Sequence, residues 1–372
     1  MRCSRPGTSR LRNYAPSSAA AECIWMKANE IKTRPVPNCY LCGSAGEVLY
    51  SNMRDRNYSA PGEWSERRCS KPSCRLIWLD PQPVEDDIGK AYQTYYTHNQ
   101  PAPAPSFVRD AVYGVWRSYL GVRLGYSIGV GPAWRTFFAP LALLHPGGVD
   151  ELDSAAMYLR APTTGGKVLD VGCGSGVVLA RMQELGWDVD GVEVDPGGVA
   201  AARARGVRVQ QGSLTDAKFP DNHFDAVHSA HVIEHVYDPV ALLKECFRVL
   251  KPGGKLVLLT PNTLSLGHRH YGEAWLNLDP PRHIMLFNIQ NLRAAAEKQG
   301  FVVQRLDSTV RSAWVYGTLS RLIQKTGRAE MSELGRPSNL IHGVIFQLRE
   351  RIVRWFKQDA GDELLLIATK QR

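Results

Sequence analysis

Apolar and polar positions follow a regular pattern over the second half of the chain. Short apolar runs of strand length alternate with longer helical segments from residue 167 onwards. Regular alternation of strands and helices is typical of a doubly wound α/β domain with a mostly parallel, Rossmann-like sheet. Seven strands are predicted, at residues 168–171, 189–193, 207–211, 224–229, 256–260, 301–306 and 363–369.

Three further segments have a helical pattern. Residues 107–127 are rich in aromatic side chains, which are typical of a core or a pocket wall, and residues 150–160 predict a helix before the first strand. Residues 341–357 form a basic amphipathic pattern, which can lie on an anionic membrane or cap the active site. We favour the lid or packing helix over membrane contact. Its apolar positions are 341, 344, 345, 348, 352, 355 and 356, broadened by Phe346 and Val353, and its basic residues are Arg349, Arg351, Arg354 and Lys357.

Composition shifts divide the chain into six parts. No run of 18 uncharged apolar residues and no secretory signal is found, so we expect a cytoplasmic protein. The less favoured membrane contact would be peripheral, at the inner face of the membrane. Met26 is an alternative start, because recognisable structure begins only after it. The parts are a disordered segment (1–35), a zinc-ribbon-like segment (36–96), a linker and aromatic helical region (97–150), the core (151–310), an amphipathic insertion (311–358) and a final core strand (359–372).

The net charge of +9 lies at the two ends of the chain. Residues 1–35 and 311–372 each carry +5, which leaves about −1 for residues 36–310. An enzyme that acts on nucleic acid is expected to carry positive charge around its active site. The distribution therefore argues against a nucleic-acid substrate.

Four of the eight cysteines form two close pairs, Cys39 with Cys42 and Cys69 with Cys74. Without an export signal, paired cysteines favour a metal over disulfides. Four thiolates complete a tetrahedral Zn²⁺ site with no open position for catalysis, so the predicted role of the zinc is structural. Two alternatives are a nucleic-acid zinc ribbon and reduced cysteines in a small β unit.

A glycine loop follows the first strand of the core, in Lys167-Val-Leu-Asp-Val-Gly-Cys-Gly-Ser-Gly176. A strand, a glycine loop and a helix N-terminus together form a close-approach site for a nucleotide-like ligand. A dinucleotide site would place a glycine at Val177, whereas this spacing is Gly-x-Gly-x-Gly.

With Asp170 in front, the loop resembles motif I of class I S-adenosylmethionine (SAM) methyltransferases. Three later segments resemble the same family, in its ubiquinone-biosynthesis and general methyltransferase group. They are Gly191-Val-Glu-Val-Asp-Pro196, the run from Phe224-Asp225 through Glu234-His235 to Asp238-Pro239, and Lys251-Pro-Gly-Gly254. The resemblance covers roughly residues 160–310 and the last strand. The cysteine segment is similar to one that precedes the SAM domain in many bacterial methyltransferases.

The resemblance implies SAM as the cofactor. Glu193 would bind the ribose, Ser213 and Leu214 would flank the adenine, and Asp195 would cap a helix. The implied cofactor-binding residues are Asp170, Gly172, Gly174, Gly176, Glu193, Ser213, Leu214 and Ser229.

Methyl transfer needs proximity, and a base when the acceptor is a hydroxyl. The candidate bases or substrate ligands are His231, His235 and His283. Quinone-type relatives use an acid for a metal at the position of His231, which argues against a metal-dependent mechanism here. No Asn-Pro-Pro-Tyr follows the fourth strand, so the signature of amino-methylating nucleic-acid enzymes is missing.

The leading hypothesis is a SAM-dependent methyltransferase for a small-molecule, glycan or lipid-linked acceptor, by O- or C-methylation. One alternative is a nucleotide-cofactor oxidoreductase. Another is a zinc-ribbon nucleic-acid-binding protein with a non-catalytic SAM fold.

Overall fold

The computed structural model describes residues 30–93, 107–127, 147–163 and 165–371, with a few isolated positions between 137 and 145. The predicted disorder of residues 1–29 and the predicted linker at 98–106 lie outside these ranges. Within residues 30–35, Thr33–Arg34 form a short strand.

The N-terminal unit is a small β structure. Its middle strands form an antiparallel hairpin and meander, and the first strand pairs with the fifth. A 3-10 helix at Ile88–Tyr92 follows. The strands are β1 (Thr33–Arg34), β2 (Gly46–Met53), β3 (Trp64–Cys69), β4 (Ile77–Leu79) and β5 (Gln82–Pro83).

Two helices precede the core, α1 (Phe107–Leu124) and α2 (Gly148–Ser154). The helix predicted at 150–160 is shorter than expected and ends at Ser154. Met157 and Tyr158 have φ angles of 52° and 55°, and the left-handed backbone does not continue a right-handed helix.

The core contains seven of the strands in one sheet, in the order β12-β13-β10-β9-β6-β7-β8. The predicted doubly wound, mostly parallel sheet is confirmed, and β13 runs antiparallel to both its neighbours. The elements are β6 (Lys167–Val171), α3 (Val177–Glu184), β7 (Asp188–Glu193), α4 (Pro196–Ala204), β8 (Arg208–Gln211), β9 (Phe224–Ala230), α5 (Pro239–Val249), β10 (Leu250–Pro261), α6 (Leu266–Tyr271), β11 (Met285–Leu286), α7 (Ile289–Lys298), β12 (Phe301–Thr309), α8 (Ala313–Thr326), α9 (Pro337–Phe356) and β13 (Glu363–Lys370).

Apolar side chains pack on both faces of the core sheet. Along β6, Leu169 and Val171 are buried in one cluster, and Val168 is buried in the other. Successive strand residues point to opposite faces, so helices on both sides cover the sheet.

The N-terminal unit shares a sheet with the core. The short strand β11 pairs with β4, which gives a four-stranded sheet in the order β11-β4-β3-β2. The side-chain amides of Asn288 and Asn291 donate to the carbonyl oxygen of Cys74 at 2.8 and 3.0 Å. The cysteine segment is thus joined to the beginning of α7.

Helix α9 packs on α8 through glycines. A Cβ at Gly343 would lie 2.6 Å from Thr318 Oγ1, and one at Gly317 would lie 2.4 Å from Phe346 Cδ1. This close approach decides which face of α9 is buried. The face consists of Gly343, Phe346, Gln347 and Glu350, so only Phe346 of the predicted apolar positions is buried.

The helices in the described part of the chain lack the combined length and apolar content that crossing a membrane requires.

Candidate functional site

The carboxyl ends of β6 and β9 mark the point where the strand order reverses. From β6 the chain continues to β7 and β8 on one side, and β9 and β10 lie on the other. In open α/β sheets, ligands bind in the crevice outside the strand ends at such a switch point. The predicted cofactor residues on β6, β7 and β9 and after β8 all lie towards this edge.

The three glycines of the loop have φ angles of 73°, 53° and 73°. A Cβ at Gly172 would lie 2.4 Å from Val232 Cγ2, and one at Gly176 would lie 2.8 Å from the Cβ of Ala202. A Cβ at Gly174 would meet nothing within 4 Å. Packing thus requires glycine at 172 and 176, whereas Gly174 borders open space that a ligand can approach closely.

The carboxylate of Glu193 is held beside this open space by backbone groups. Its Oε2 accepts a hydrogen bond from the N–H of Gly174 at 2.8 Å, and its Oε1 accepts one from the N–H of Asp195 at 2.9 Å. A carboxylate offers about four acceptor sites, so two remain for a ligand. Asp195 caps α4, as predicted, by accepting from the N–H of Gly198 at 2.7 Å.

The other predicted cofactor residues differ in their surroundings. Asp170 is buried, and its carboxylate lies 2.7 Å from Nδ1 of His228, a partner that sequence analysis did not assign. The hydroxyl of Ser213 donates to Asp216 at 2.6 Å, and Leu214 is buried. The hydroxyl of Ser229 is fully buried and has no hydrogen-bond partner among the described residues.

His231 lies between two carboxylates. Its Nδ1 is 3.0 Å from Glu234 Oε1, and its Nε2 is 2.6 Å from Glu363 Oε1. Burial acts to lower the pKa of His231, but hydrogen bonds to Glu234 and Glu363 outweigh it and raise the pKa to about 9. Both ring nitrogens therefore donate, and an imidazolium cannot accept a proton. This geometry argues against His231 as a base.

Glu363 holds this group from the other side. It accepts hydrogen bonds from Arg311 at 2.7 and 2.8 Å and from the hydroxyl of Tyr316 at 2.7 Å. Burial opposes ionisation, but Arg311 and His231 keep the pKa of Glu363 well below its usual range. We call His231, Glu234, Arg311, Tyr316 and Glu363 the histidine–carboxylate cluster.

His235 and His283 form an edge-to-face pair with ring centroids 4.7 Å apart. Nδ1 of His235 lies 3.0 Å from the carbonyl oxygen of Arg282, and Nδ1 of His283 lies 2.7 Å from that of Asn277. Nδ1 of His235 also lies 3.0 Å from the hydroxyl of Tyr92. Because a carbonyl only accepts, each Nδ1 donates a hydrogen bond. Burial and the neighbouring His283 lower the pKa of His235 to about 4, so its ring is neutral.

The same pair lies close to a carboxylate. Glu234, His235 and His283 each offer a ligand atom within 4.8 Å of the others, which could hold a metal ion. The carboxylate oxygens of Glu234 already bond to His231 at 3.0 Å and to the hydroxyl of Thr260 at 3.0 Å.

Arg282 supports the loop that carries His283, and no sequence signal points to it. Its guanidinium is fully buried between Asp55, at 2.7 and 2.9 Å, and Asp279, at 2.6 and 2.8 Å. It also donates to the carbonyl oxygen of Ala91 at 3.1 Å. One side chain thus links the N-terminal unit, the 3-10 helix and the loop.

The four predicted zinc ligands come together in the structure. The Sγ atoms of Cys39 and Cys74 are 3.7 Å apart, those of Cys42 and Cys69 are 3.5 Å apart, and all four lie within 4.8 Å of one another. Tetrahedral zinc with Zn–S bonds of about 2.3 Å needs sulfur atoms about 3.8 Å apart. The spacing fits a closed four-thiolate site.

Comparisons with known proteins find similarity to methyltransferases over the core of the chain. Residues 150–306 match a family model described as "Methyltransferase domain". A "Probable S-adenosylmethionine-dependent methyltransferase" of Mycolicibacterium smegmatis is 35% identical over 142 residues, which are 38% of this chain and 53% of that protein. A "Ubiquinone biosynthesis O-methyltransferase" of Xanthomonas oryzae pv. oryzae is 39% identical over 132 residues, 33% of this chain and 52% of that protein. The chain spans about half the length of the curated relatives it matches.

Among solved structures, a SAM-dependent methyltransferase from Mesorhizobium loti aligns with a TM-score of 0.41 and 19% identity. The alignment covers 60% of this chain and 100% of that one.

Proposed function

We propose that this chain, whose residues 150–306 match the model of a methyltransferase domain, transfers the methyl group of SAM to a small-molecule acceptor. The predicted resemblance to that family is confirmed by the family match and the curated relatives. One observation carries the proposal. The open side of Gly174 lies beside a backbone-held carboxylate, Glu193, at the switch point of the sheet.

The residues around this open space fit SAM. In our proposal the free acceptor sites of Glu193 receive the ribose hydroxyls, and the backbone at Gly174 allows the cofactor to approach. Ser213 and Leu214 flank the adenine. Asp170 and the hydroxyl of Ser229, which has no partner among the described residues, complete the strand-end wall. Bound SAM supplies a methyl group on a sulfonium centre.

On the acceptor side we assign His235 and His283 as the candidate bases. Nδ1 of each ring donates to a backbone carbonyl, and the low pKa of His235 keeps that ring neutral with its lone pair on Nε2. Such a ring can accept the proton of a hydroxyl acceptor while the protein holds the acceptor in line with the methyl group. The O-methyltransferase names of the curated relatives support a hydroxyl acceptor, and we propose one with an apolar or lipid-linked part.

We also propose that Cys39, Cys42, Cys69 and Cys74 bind a structural Zn²⁺. The site would fix the carbonyl of Cys74, to which Asn288 and Asn291 donate, and hence the start of α7 beyond the His283 loop. Zinc analysis tests this assignment. Wild-type protein should contain one zinc per chain, Cys39→Ser should lose it, and Cys246→Ser, a buried cysteine outside the cluster, should keep it. An unchanged zinc content in Cys39→Ser would rule out that ligand.

Calorimetric titration tests the cofactor. We expect SAM to bind and NAD not to bind, and Gly174→Arg should weaken SAM binding at least tenfold. Gly206→Arg is the matched control, because Gly206 also has a positive φ and open space around its Cβ position. Binding of NAD, or equal SAM binding by both variants, would overturn the proposal.

A further inference from the structure

Helix α9 exposes a row of large apolar side chains. Ile341, Ile345, Leu348, Ile352 and Trp355 follow one another at intervals of four and three residues, so they share one face. The exposed fractions are 60%, 59%, 42%, 52% and 73%, and Phe356 at the end of the helix is 86% exposed. We call these six residues the apolar strip.

Among the described residues, packing does not account for the strip. The opposite face of α9 supplies the contacts with α8, through Gly343 and Phe346. That face also buries polar side chains, and Gln347 donates to the carbonyl oxygen of Val310 at 2.8 Å. Contiguous apolar surface on this scale marks an interaction site rather than chance exposure.

The charge around the strip selects the partner. Arg349, Lys357, Lys325 and Arg328 are exposed on or beside α8 and α9, whereas the exposed Arg336 pairs with Glu333 at 2.9 Å. Three of the acids in the same stretch, Glu350, Asp362 and Glu363, are buried. Arg311 and Arg354 are held in ion pairs, and Glu330 is exposed, but the basic residues at the surface of α8 and α9 still outnumber the acids there.

Positive charge beside exposed apolar groups matches an anionic lipid surface. The strip would enter the boundary between headgroups and acyl chains, and the basic side chains would stay at the headgroups. A second copy of this chain fits less well, because pairing two strips would bring Arg349 and Lys357 of both copies together.

We propose that the protein docks on anionic membranes through the apolar strip, with α9 lying in the plane of the surface. This inference goes beyond methyl transfer and does not depend on it. The location suits an apolar acceptor, because β13 follows α9 in the chain and its first residue, Glu363, contacts His231.

Vesicle flotation of the full chain tests the proposal. Vesicles of phosphatidylcholine alone are compared with vesicles containing phosphatidylglycerol. Wild-type protein should float with the anionic vesicles only, and less at high salt. The triple variant Ile345→Ser/Ile352→Ser/Trp355→Ser should reduce the bound fraction at least tenfold, and Arg349→Glu/Lys357→Glu should reduce it on anionic vesicles.

The matched control is Val48→Ser/Val302→Ser, which removes exposed apolar side chains from β2 and β12. It should float like the wild type. Circular dichroism and calorimetric SAM titration of the triple variant should be unchanged, so a failure of docking is distinct from a failure of the SAM site. No flotation of the wild type, equal flotation of the triple variant, or a dimer in sedimentation that the triple variant dissociates would each overturn the proposal.

Discussion

The glycine-loop site and the histidine–carboxylate cluster lie at the same edge of one sheet, but they are held in different ways. In the first, the backbone N–H groups of Gly174 and Asp195 bind Glu193, over sequence separations of 19 and 2 residues. In the second, side chains bind side chains, and His231 and Glu363 are 132 residues apart. The first site depends on local residue type and spacing, whereas the second depends on the finished topology.

Removing Arg282 should cause the largest loss of stability, because its contact with Asp55 joins residues that are far apart in the sequence. Arg282→Met leaves the buried carboxylates of Asp55 and Asp279 without a counter-charge, and we expect a loss of about 3–5 kcal/mol in the free energy of unfolding. Urea denaturation measures it. Arg293→Met, which removes an exposed pair with Glu297, should cost less than about 0.5 kcal/mol. Similar losses of unfolding free energy in the two variants would show that the contacts of Arg282 with Asp55 and Asp279 contribute little to stability.

The pH dependence of stability tests the charge state of His231. Its folded pKa of about 9 lies above the ordinary value of about 6.5, so its contribution is fully present below pH 6.5 and is lost as the pH rises through 9. The stability difference between wild type and His231→Gln should therefore be larger at pH 6 than at pH 10, by about 2–3 kcal/mol. A difference that stays constant with pH would contradict the imidazolium.

Glu193→Gln tests the glycine-loop site, whose contacts join residues that are close in the sequence. Loss of the charged acceptor should weaken SAM binding by about 1.5–3 kcal/mol, or roughly tenfold to a hundredfold. Asp195→Asn is the control, because asparagine caps a helix about as well as aspartate, and its affinity should change less than about threefold. Calorimetry measures both variants. An equal loss in the control would mean that the whole turn, and not the carboxylate of Glu193, binds the ribose.

Tyr316→Phe should have the smallest effect. It removes one donor to Glu363 but leaves Arg311 and His231 in place, so we expect a loss of about 1 kcal/mol in unfolding free energy. Chemical denaturation measures this loss. The variant for comparison is Tyr237→Phe, which removes a hydrogen bond to the carbonyl of Pro83. A loss as large as that of Arg282→Met would show that the cluster has no redundancy.

Local pattern predicted the strands of the core and the glycine loop. Period-two burial and fixed glycine spacing are properties of neighbouring residues, and the two close cysteine pairs lay within one short segment. The predicted fifth strand, 256–260, is too short. In the structure β10 begins at Leu250 and includes the Lys-Pro-Gly-Gly segment, where the register with β9 shifts.

Long-range partners could not be predicted in the same way. Nothing near His228 in the sequence indicates its bond to Asp170, and nothing near Arg282 indicates Asp55. The buried face of α9 also escaped prediction, because the glycines at its crossing with α8 outweigh the apolar pattern of the helix itself.

The pairing of β11 with β4 has a consequence for how the chain folds during synthesis. Trp78 and Met285 are register partners, so the ribosome adds roughly two hundred residues between them. At about 5–20 residues per second, the N-terminal strands would wait about 10–40 s for their last neighbour. Until then the edge of β4 is open to pairing with other chains, and the four cysteines are the nearest means of closing the unit early. With the zinc proposed for these cysteines, supply of metal during translation should therefore raise the yield of native protein.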